Sequence, residues 1–551
     1  MKSNSLYVYM RHHMHLMLIL FSAAIAVAAY LQALSYPFVY DDFTYIVNNP
    51  KLAGLPFSEL WRLFTEPYNG MFEFLPLREL SYWFDMTMFG LDPIAFRLDN
   101  IALYLLCLPL VYATTLAVWR YFRPTDTASA PLAAAVVTTL FALHPALVES
   151  VVWISGRKYV LPNLLSMLAL WLAVSARREF GFSVSHAIAT LIVFVAVMLS
   201  KSSYIALAPI IALLWIIFWI DIPKANRSRT LLIWPLTLLF LAVLLLRIFV
   251  LSSDDNSGSA FGVGTITRAL AILGWLARLA VSPESRHYFY PVYEDTNLYF
   301  MVVLGAVVLA AAMVGLVFFF RKRSLEGFSI IAFLLLCMPY LQLFPYVSPS
   351  LVQDRYLSLA IWPIILLIVA LAWRLNRVPR TALLLITALS WGFQTMDRPR
   401  DWRSFEALVE SDFRAYPGYS WPAKYRIDRQ LQEGLIREAE ETASSITIPE
   451  IRDVMIRLVK AHQAVTHSIE NADPDDAMSL LLECGTDMKQ LPVQAINDST
   501  LVNMWLLNRF FVLNEWQFLV KNFPNNNLLR QNAKLTQLSF IKVSNDEWQK
   551  R

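Results

Sequence analysis

Disulfide chemistry is missing from this chain of 551 residues. Its three cysteines, Cys107, Cys337 and Cys484, are too scattered for a disulfide framework or a metal site of ordinary spacing. Charge is scarce: 16% of residues are Asp, Glu, Lys or Arg, and the net charge is only +4. The basic residues are mostly dispersed at the edges of apolar segments, which argues against nucleic acid as a partner. No small-residue cleavage site follows the first apolar stretch near Leu34. The N-terminal run with Lys2 and Arg11 therefore reads as a retained helix rather than a secretory signal.

What is present is hydrophobicity: 57% of residues are apolar and the mean hydropathy is +0.48. This composition belongs to an integral membrane protein. Charge is also uneven, since residues 397–551 hold 41 of the 88 charged side chains. The chain reads as a membrane domain, 1–396, followed by a soluble domain, 397–551.

Apolar runs predict spans near 15–34, 98–119, 131–152, 159–176, 184–200, 203–220, 231–251, 299–320, 325–342, 357–373 and 380–396, about eleven crossings. The basic groups Arg120/Arg123, Arg177/Arg178, Lys224/Arg227/Arg229, Arg321/Lys322/Arg323 and Arg374/Arg377/Arg380 then share one face. Short loops rich in Lys and Arg stay in the cytoplasm, so the N-terminus lies there and the C-terminal domain lies outside. The long loop 35–97, with Trp61, Tyr68 and Trp83 among charges, suits short amphipathic helices at the interface. Segment 265–282 is interrupted by Arg268 and Arg278 and is expected to be interfacial as well.

The outer face collects unusual polar residues. Asp41 and Asp42 follow the first span directly, and two carboxylates at a membrane exit are candidates for a catalytic base. They could equally be solvated helix caps, a role Asp favours. Five cations lie on the same face against the usual bias: Arg157, Lys158, Lys201, Arg286 and Arg355. Any one could be a snorkelling side chain. Together they suit an anionic lipid headgroup, because Arg forks onto phosphate and Lys adds a compact charge.

The runs Tyr40-Asp41-Asp42-Phe43-Thr44-Tyr45-Ile46-Val47-Asn48-Asn49-Pro50, His144 through Arg157, Leu199-Ser200-Lys201 and Asp354-Arg355-Tyr356-Leu357 resemble a known family. It comprises the bacterial relatives of the transmembrane-and-tetratricopeptide O-mannosyltransferases, within the GT-C superfamily of polyprenyl-phosphate-sugar-dependent glycosyltransferases. The likeness covers about residues 30 to 430 in order and rough spacing, and it is most specific in the second run. The chain departs from the pattern at Ser202, where the family has Glu. It departs again at Phe74-Leu75-Pro76-Leu77, where the family reads Tyr-Arg-Pro-Leu and Arg78 is a nearby substitute. Segment 402–440 resembles the linker and first repeat, but no long array with a 34-residue period follows.

The resemblance implies an all-α polytopic membrane fold of GT-C type with a C-terminal helical, partly tetratricopeptide-like domain. It implies transfer of a sugar from a polyprenyl-phosphate donor to an acceptor hydroxyl at the periplasmic side of a bacterial inner membrane. Asp41 or Asp42 would take the proton of the nucleophile, with Asp41 favoured and Asp42 orienting the acceptor or capping the next helix. Preplaced cations stabilise a departing phosphate better than a general acid does. Arg355 and Lys201 are the first choices for that task, with Arg157 and Lys158 next. His144, Glu149, Asp354, Tyr356 and Arg78 are supporting candidates.

No cofactor is assigned. Asp41, Asp42, Glu73 and Glu79 share a loop that could admit a divalent metal, but they lack ligand spacing. The acceptor is open between a protein Ser/Thr and a glycan or lipid, and membrane lipids are the remaining expected contact. A flippase or transporter for an anionic lipid-linked substrate is the alternative. It would show repeated halves and ionisable residues near midmembrane; neither is clear, and Arg247, near the end of its span, is the only isolated charge.

Overall fold

The computed structural model describes residues 2–66, 74–178, 181–222, 263–283, 288, 290, 298–343, 351–471, 474–487, 512–517, 519–522, 526, 528 and 530–537. Among them the one strand pairing is the two-residue antiparallel ladder of Arg177–Arg178 with Gly181–Phe182. Everything else regular is helical, as an all-α polytopic membrane protein requires, because a helix satisfies its own backbone polar groups in lipid.

The membrane part runs through α1 (Lys2–Leu31), α2 (Pro76–Phe89), α3 (Pro93–Phe122), α4 (Ala130–Ala142), α5 (Leu147–Val152), α6 (Arg157–Ser175), α7 (Val184–Ser200), α8 (Leu207–Asp221), α9 (Val263–Val281), α10 (Leu298–Lys322), α11 (Leu325–Cys337), α12 (Ile361–Ala372) and α13 (Arg377–Asp397). Among the described residues five stretches are long and apolar enough to cross a membrane: Pro93–Phe122, Ile154–Ser175, Ser202–Asp221, Gly264–Val281 and Leu298–Lys322. Shorter apolar helices occupy Leu16–Leu31, Ala130–Ala142, Val184–Ser200, Leu325–Tyr340 and Ile361–Ala372.

Two expectations turn out differently. The run 131–152 is not one helix but α4, a turn, and the six-residue α5. Pro145 lacks an amide proton and pushes His144 out of helical geometry, so the helix ends there. Segment 265–282, expected to be interfacial, is the continuous helix α9. It packs along α10, with Leu270 and Gly274 facing Gly305 and Met301 in antiparallel sense; a Cβ on Gly274 would come within 2.0 Å of the Met301 carbonyl oxygen, and one on Gly305 within 2.0 Å of that of Leu270. Glycine alone allows that approach. The run 231–251, with Arg247, lies outside the described residues.

Polar residues gather at the two ends of α3. At the Phe122 end Glu326 pairs with Arg123 at 2.7 Å and with Arg374 at 2.8 Å. There Asp221 also takes Arg323 at 2.8 Å and the Tyr121 hydroxyl at 2.5 Å. Arg123, Arg323 and Arg374, from three of the basic groups read from the sequence, thus lie among these acidic partners, while Lys224, Arg227 and Arg229 lie outside the described residues. At the Pro93 end lie Asp41, Asp42 and the cations of the expected site.

The large apolar core of the helices continues past α13 to Trp402, Leu408, Val409, Tyr419 and Trp421. These residues sit on α14 (Phe405–Ala415), α15 (Ser420–Gln432) and the turn before them. A second core, from Ala423 to Leu519, holds α15 together with α16 (Ile436–Ser444), α17 (Pro449–Asn471) and α18 (Asp475–Asp487).

Candidate active site

The site is built on the first turns of α3. Asp92 caps that helix by accepting from the Ile94 amide at 2.9 Å, with Pro93 at its first position. One turn on, the buried Arg97 guanidinium donates to four carbonyls: Val152 at 2.9 Å, Leu34 at 3.1 Å, Tyr36 at 2.7 Å and Pro37 at 3.0 Å. Asn100 donates to the carbonyls of Val151, Trp153 and Ile154 at 3.3, 3.1 and 3.3 Å. Two side chains therefore fasten the exit 34–37 and the turn 151–156 to the same helix end.

Between these anchors sit the two aspartates, in different surroundings. Asp42 is fully buried. Its carboxylate accepts from the Val39 amide at 3.0 Å, the Ser155 amide at 2.8 Å and the Ser155 hydroxyl at 2.5 Å. It is not a solvated cap, for its side chain makes no capping bond to the single π-helical turn Phe43–Val47 that follows. Burial pushes its carboxyl up to about 6, against the pull of those donors and of Arg97. The Asp41 carboxylate is 29% exposed and faces the Lys158 ammonium at 4.0 Å. Tyr40, just before it, has φ of 53°, the left-handed region that a tyrosine occupies only when its surroundings impose it. Its ring is stacked on Phe405 at 5.8 Å and meets Tyr288 edge-on at 5.2 Å.

The expected cations separate into two groups. Arg157 has its nitrogens engaged within the protein: Nε on Asn100 Oδ1 at 2.8 Å, Nη2 on the Phe96 carbonyl at 2.7 Å, and Nη1 on Asp85 at 2.6 Å and the Ser81 hydroxyl at 3.3 Å. It was expected to present a charge to a phosphate. Burial beside Asp85 makes it a structural cation instead, and burial also pushes the Asp85 carboxyl up to about 7, Arg157 opposing and Asp99 adding to the rise. Lys158 and Arg355 share one indole, Trp153, at 5.2 and 5.0 Å from the ring centre. Lys158 also lies over Tyr45 at 4.9 Å, and Arg355 over Tyr288 at 5.0 Å. Lys201 ends α7 over the Tyr159 ring at 5.2 Å. Arg286 lies outside the described residues.

Gly156 allows this turn to close. A Cβ there would come 2.3 Å from the Ser150 carbonyl oxygen, so any side chain would force α5 away from α6 and displace Arg157 and Lys158.

The supporting residues are buried and partnered. Glu149 binds the Arg355 guanidinium, and its second oxygen accepts the Arg355 amide at 3.0 Å. Asp354 accepts the Tyr290 hydroxyl at 2.7 Å and pairs with Arg398. The Tyr356 ring stacks on Tyr340 at 4.3 Å. His144 is a neutral ring in place: Nε2 meets the Ala280 carbonyl at 3.2 Å and Nδ1 accepts from the Ala146 amide at 3.2 Å. Its ring lies against Trp391 at 4.4 Å. Arg78 pairs with its neighbour Glu79 and covers Tyr45 at 4.6 Å. Glu79 in turn accepts from Asn49 at 3.0 Å.

Sequence reasoning missed Arg97, Asn100, Ser155, Tyr288 and Arg398. Arg97 and Asn100 had a signal, two polar residues one helical turn apart at the mouth of an apolar helix. Tyr288 and Arg398 had none, because only the fold brings them beside Arg355. Among the described residues no group of three His, Cys, Asp or Glu side chains could hold a metal ion, and Glu73 lies outside them.

These observations define an α-helical membrane protein with a partly open carboxylate and several cations gathered at one end of its bundle. Comparison with known proteins agrees with the relationship read from the motifs. The chain is similar to Protein O-mannosyl-transferase TMTC1 of Homo sapiens, 34% identical over 150 residues, covering 25% of this chain and 16% of that protein. It is also similar to Protein O-mannosyl-transferase TMTC1 of Mus musculus, 32% identical over 150 residues, covering 25% of the chain and 15% of that protein. The chain thus spans about a sixth of the length of the curated relatives it matches. No family model matches. No solved structure matches significantly.

Proposed function

We propose that this chain is an integral membrane glycosyltransferase that moves a sugar from a polyprenyl-phosphate donor to an acceptor hydroxyl, a protein Ser/Thr or a glycan or lipid. The observation that carries this reading is the pairing of a partly exposed Asp41 with Lys158, beside Arg355 around the shared Trp153. Similarity to O-mannosyl-transferases supports the class of reaction.

In this reading Asp41 accepts the proton of the acceptor hydroxyl as its oxygen attacks the anomeric carbon. The bond from that carbon to the phosphate oxygen breaks, and polyprenyl phosphate leaves with the electron pair. Lys158, Arg355 and Lys201 meet the charge that develops on the phosphate. Attack opposite the phosphate inverts the anomeric centre. Asp42 does not take the acceptor's proton; it holds Asp41 by fixing Val39 and Ser155. The site faces the periplasm of a bacterial inner membrane, the N-terminus is cytoplasmic, and residues 397–551 form a periplasmic domain beyond the membrane domain 1–396. A transporter needs its charges near midmembrane, whereas those of this site lie at the Pro93 end of α3.

The test is transfer of labelled sugar from membrane polyprenyl-phosphate donors, comparing the native protein with Asp41→Asn at matched membrane abundance. Loss of transfer with donor still bound supports the assignment. Native membranes that transfer nothing from a broad donor set, or an undiminished Asp41→Asn, would remove it.

A further inference from the structure

Arg398 is the first residue of the 3₁₀ turn Arg398–Trp402 that leads out of α13. It is 5% exposed. Its guanidinium binds the Asp354 carboxylate, the Pro145 carbonyl at 3.3 Å and the Pro283 carbonyl. One side chain thereby joins the turn after α4, the chain after α9 and the 3₁₀ turn Asp354–Leu357 that carries Arg355.

Glu149 and Tyr288, both in contact with Arg355, also line a small cavity of about 30 Å³, enough for a water molecule. Among the described residues four carboxylates line it, Glu149, Asp354, Asp401 and Asp412, and Arg398 is the one Lys or Arg among them. The Arg355 charge is already shared with Glu149. An anion approaching Arg355 therefore meets an acid-lined wall whose repulsion Arg398 offsets, in a setting where water screens little.

We propose that Arg398 is a positioning residue for an anionic phosphate at Arg355: by neutralising Asp354 it keeps the Asp354–Leu357 turn in place and removes a buried negative charge from beside the phosphate site. This rests on the donor-phosphate reading above. It also gives the start of the C-terminal segment a part in the site, since Asp412 of α14 accepts the Tyr288 amide at 2.6 Å while Arg398 holds Asp354.

The probe is undecaprenyl phosphate, titrated into the full chain in lipid nanodiscs, with binding followed by tryptophan fluorescence and folding by thermal melting. Arg398→Ala weakens binding by about tenfold or more. Arg398→Lys, which keeps the charge, and the pair Asp354→Asn with Arg398→Ala, which removes both charges, bind within about threefold of native. A folded Arg398→Ala protein that binds as the native chain does overturns the proposal. So does a folded double variant as weak as Arg398→Ala, because Arg398 would then not act through Asp354. Should Arg398→Ala fail to fold, the two charge-balanced variants carry the test, and lost affinity in either while folded overturns it. A native chain that does not bind the lipid phosphate at all overturns the donor reading, and this proposal falls with it; native binding that Arg398→Ala leaves unchanged overturns the role of Arg398 alone.

Discussion

Asp41 and Asp42 are neighbours in sequence, yet their replacement has opposite consequences. Asp42→Ala removes the acceptor for three buried donors. The Ser155 hydroxyl can turn elsewhere, but the amides of Val39 and Ser155 are left without a partner, at about 1–3 kcal/mol each. The expected loss is about 4 kcal/mol, concentrated in the contact between residues 39–42 and the turn at Ser155. Asp41→Asn removes one ionic contact at 4.0 Å from a side chain that is 29% exposed. That costs less than about 1 kcal/mol of stability. Transfer, by contrast, falls by about 10² to 10⁴ when a general base is lost. The assay is thermal melting of both variants in nanodiscs, followed by sugar transfer normalised to folded protein. The reasoning is refuted if Asp41→Asn melts far below native while Asp42→Ala does not, or if folded Asp41→Asn transfers sugar at the native rate.

Asp42 also sets a pH dependence. Its carboxyl lies at about 6 in the folded chain against 3.8 for the free group, so the folded state holds the proton more tightly. Stability from this residue is complete below about pH 4 and falls by about 3 kcal/mol as pH rises to 6; chemical denaturation across that range shows the slope, and Asp42→Ala abolishes it. Arg157→Ala strands Asp85 without its cation and destabilises the chain by about 3–5 kcal/mol. Undecaprenyl-phosphate affinity of whatever protein remains folded stays near native, which a direct titration would contradict if Arg157 touched the donor. Gly156→Ala pushes a methyl into the Ser150 carbonyl, and a loss of transfer larger than the loss of folded protein is the expected signature. Gly305→Leu in α10 separates α9 from α10 and lowers the melting temperature without a selective effect on donor affinity.

The membrane class and the two polar ends of the bundle were legible in the sequence because long apolar runs and basic loops are local signals. The break at His144-Pro145 was legible in principle, since proline carries its own geometry, but the surrounding apolar run reads as a single span. The charged interruptions Arg268 and Arg278 made α9 look interfacial. The residues that give it a neighbour, Gly274 and Gly305, are too far apart in sequence to be paired by inspection. At the site, which carboxylate is buried depends on Ser155, more than a hundred residues away. The same holds for Arg157: its residue type suits phosphate, and only the position of Asp85 and Asn100 commits it to the scaffold.

The grip of Arg97 on four carbonyls has a consequence for timing. Those contacts, and the Asp42 bonds beside them, use only groups of the chain itself, so the segment bearing Asp41 is set before any sugar arrives. On the proposed reading, a lipid-linked donor diffusing in the plane of the membrane would meet a base already aimed. The slow event is then more naturally the arrival or departure of long lipid chains than a rearrangement of the carboxylate.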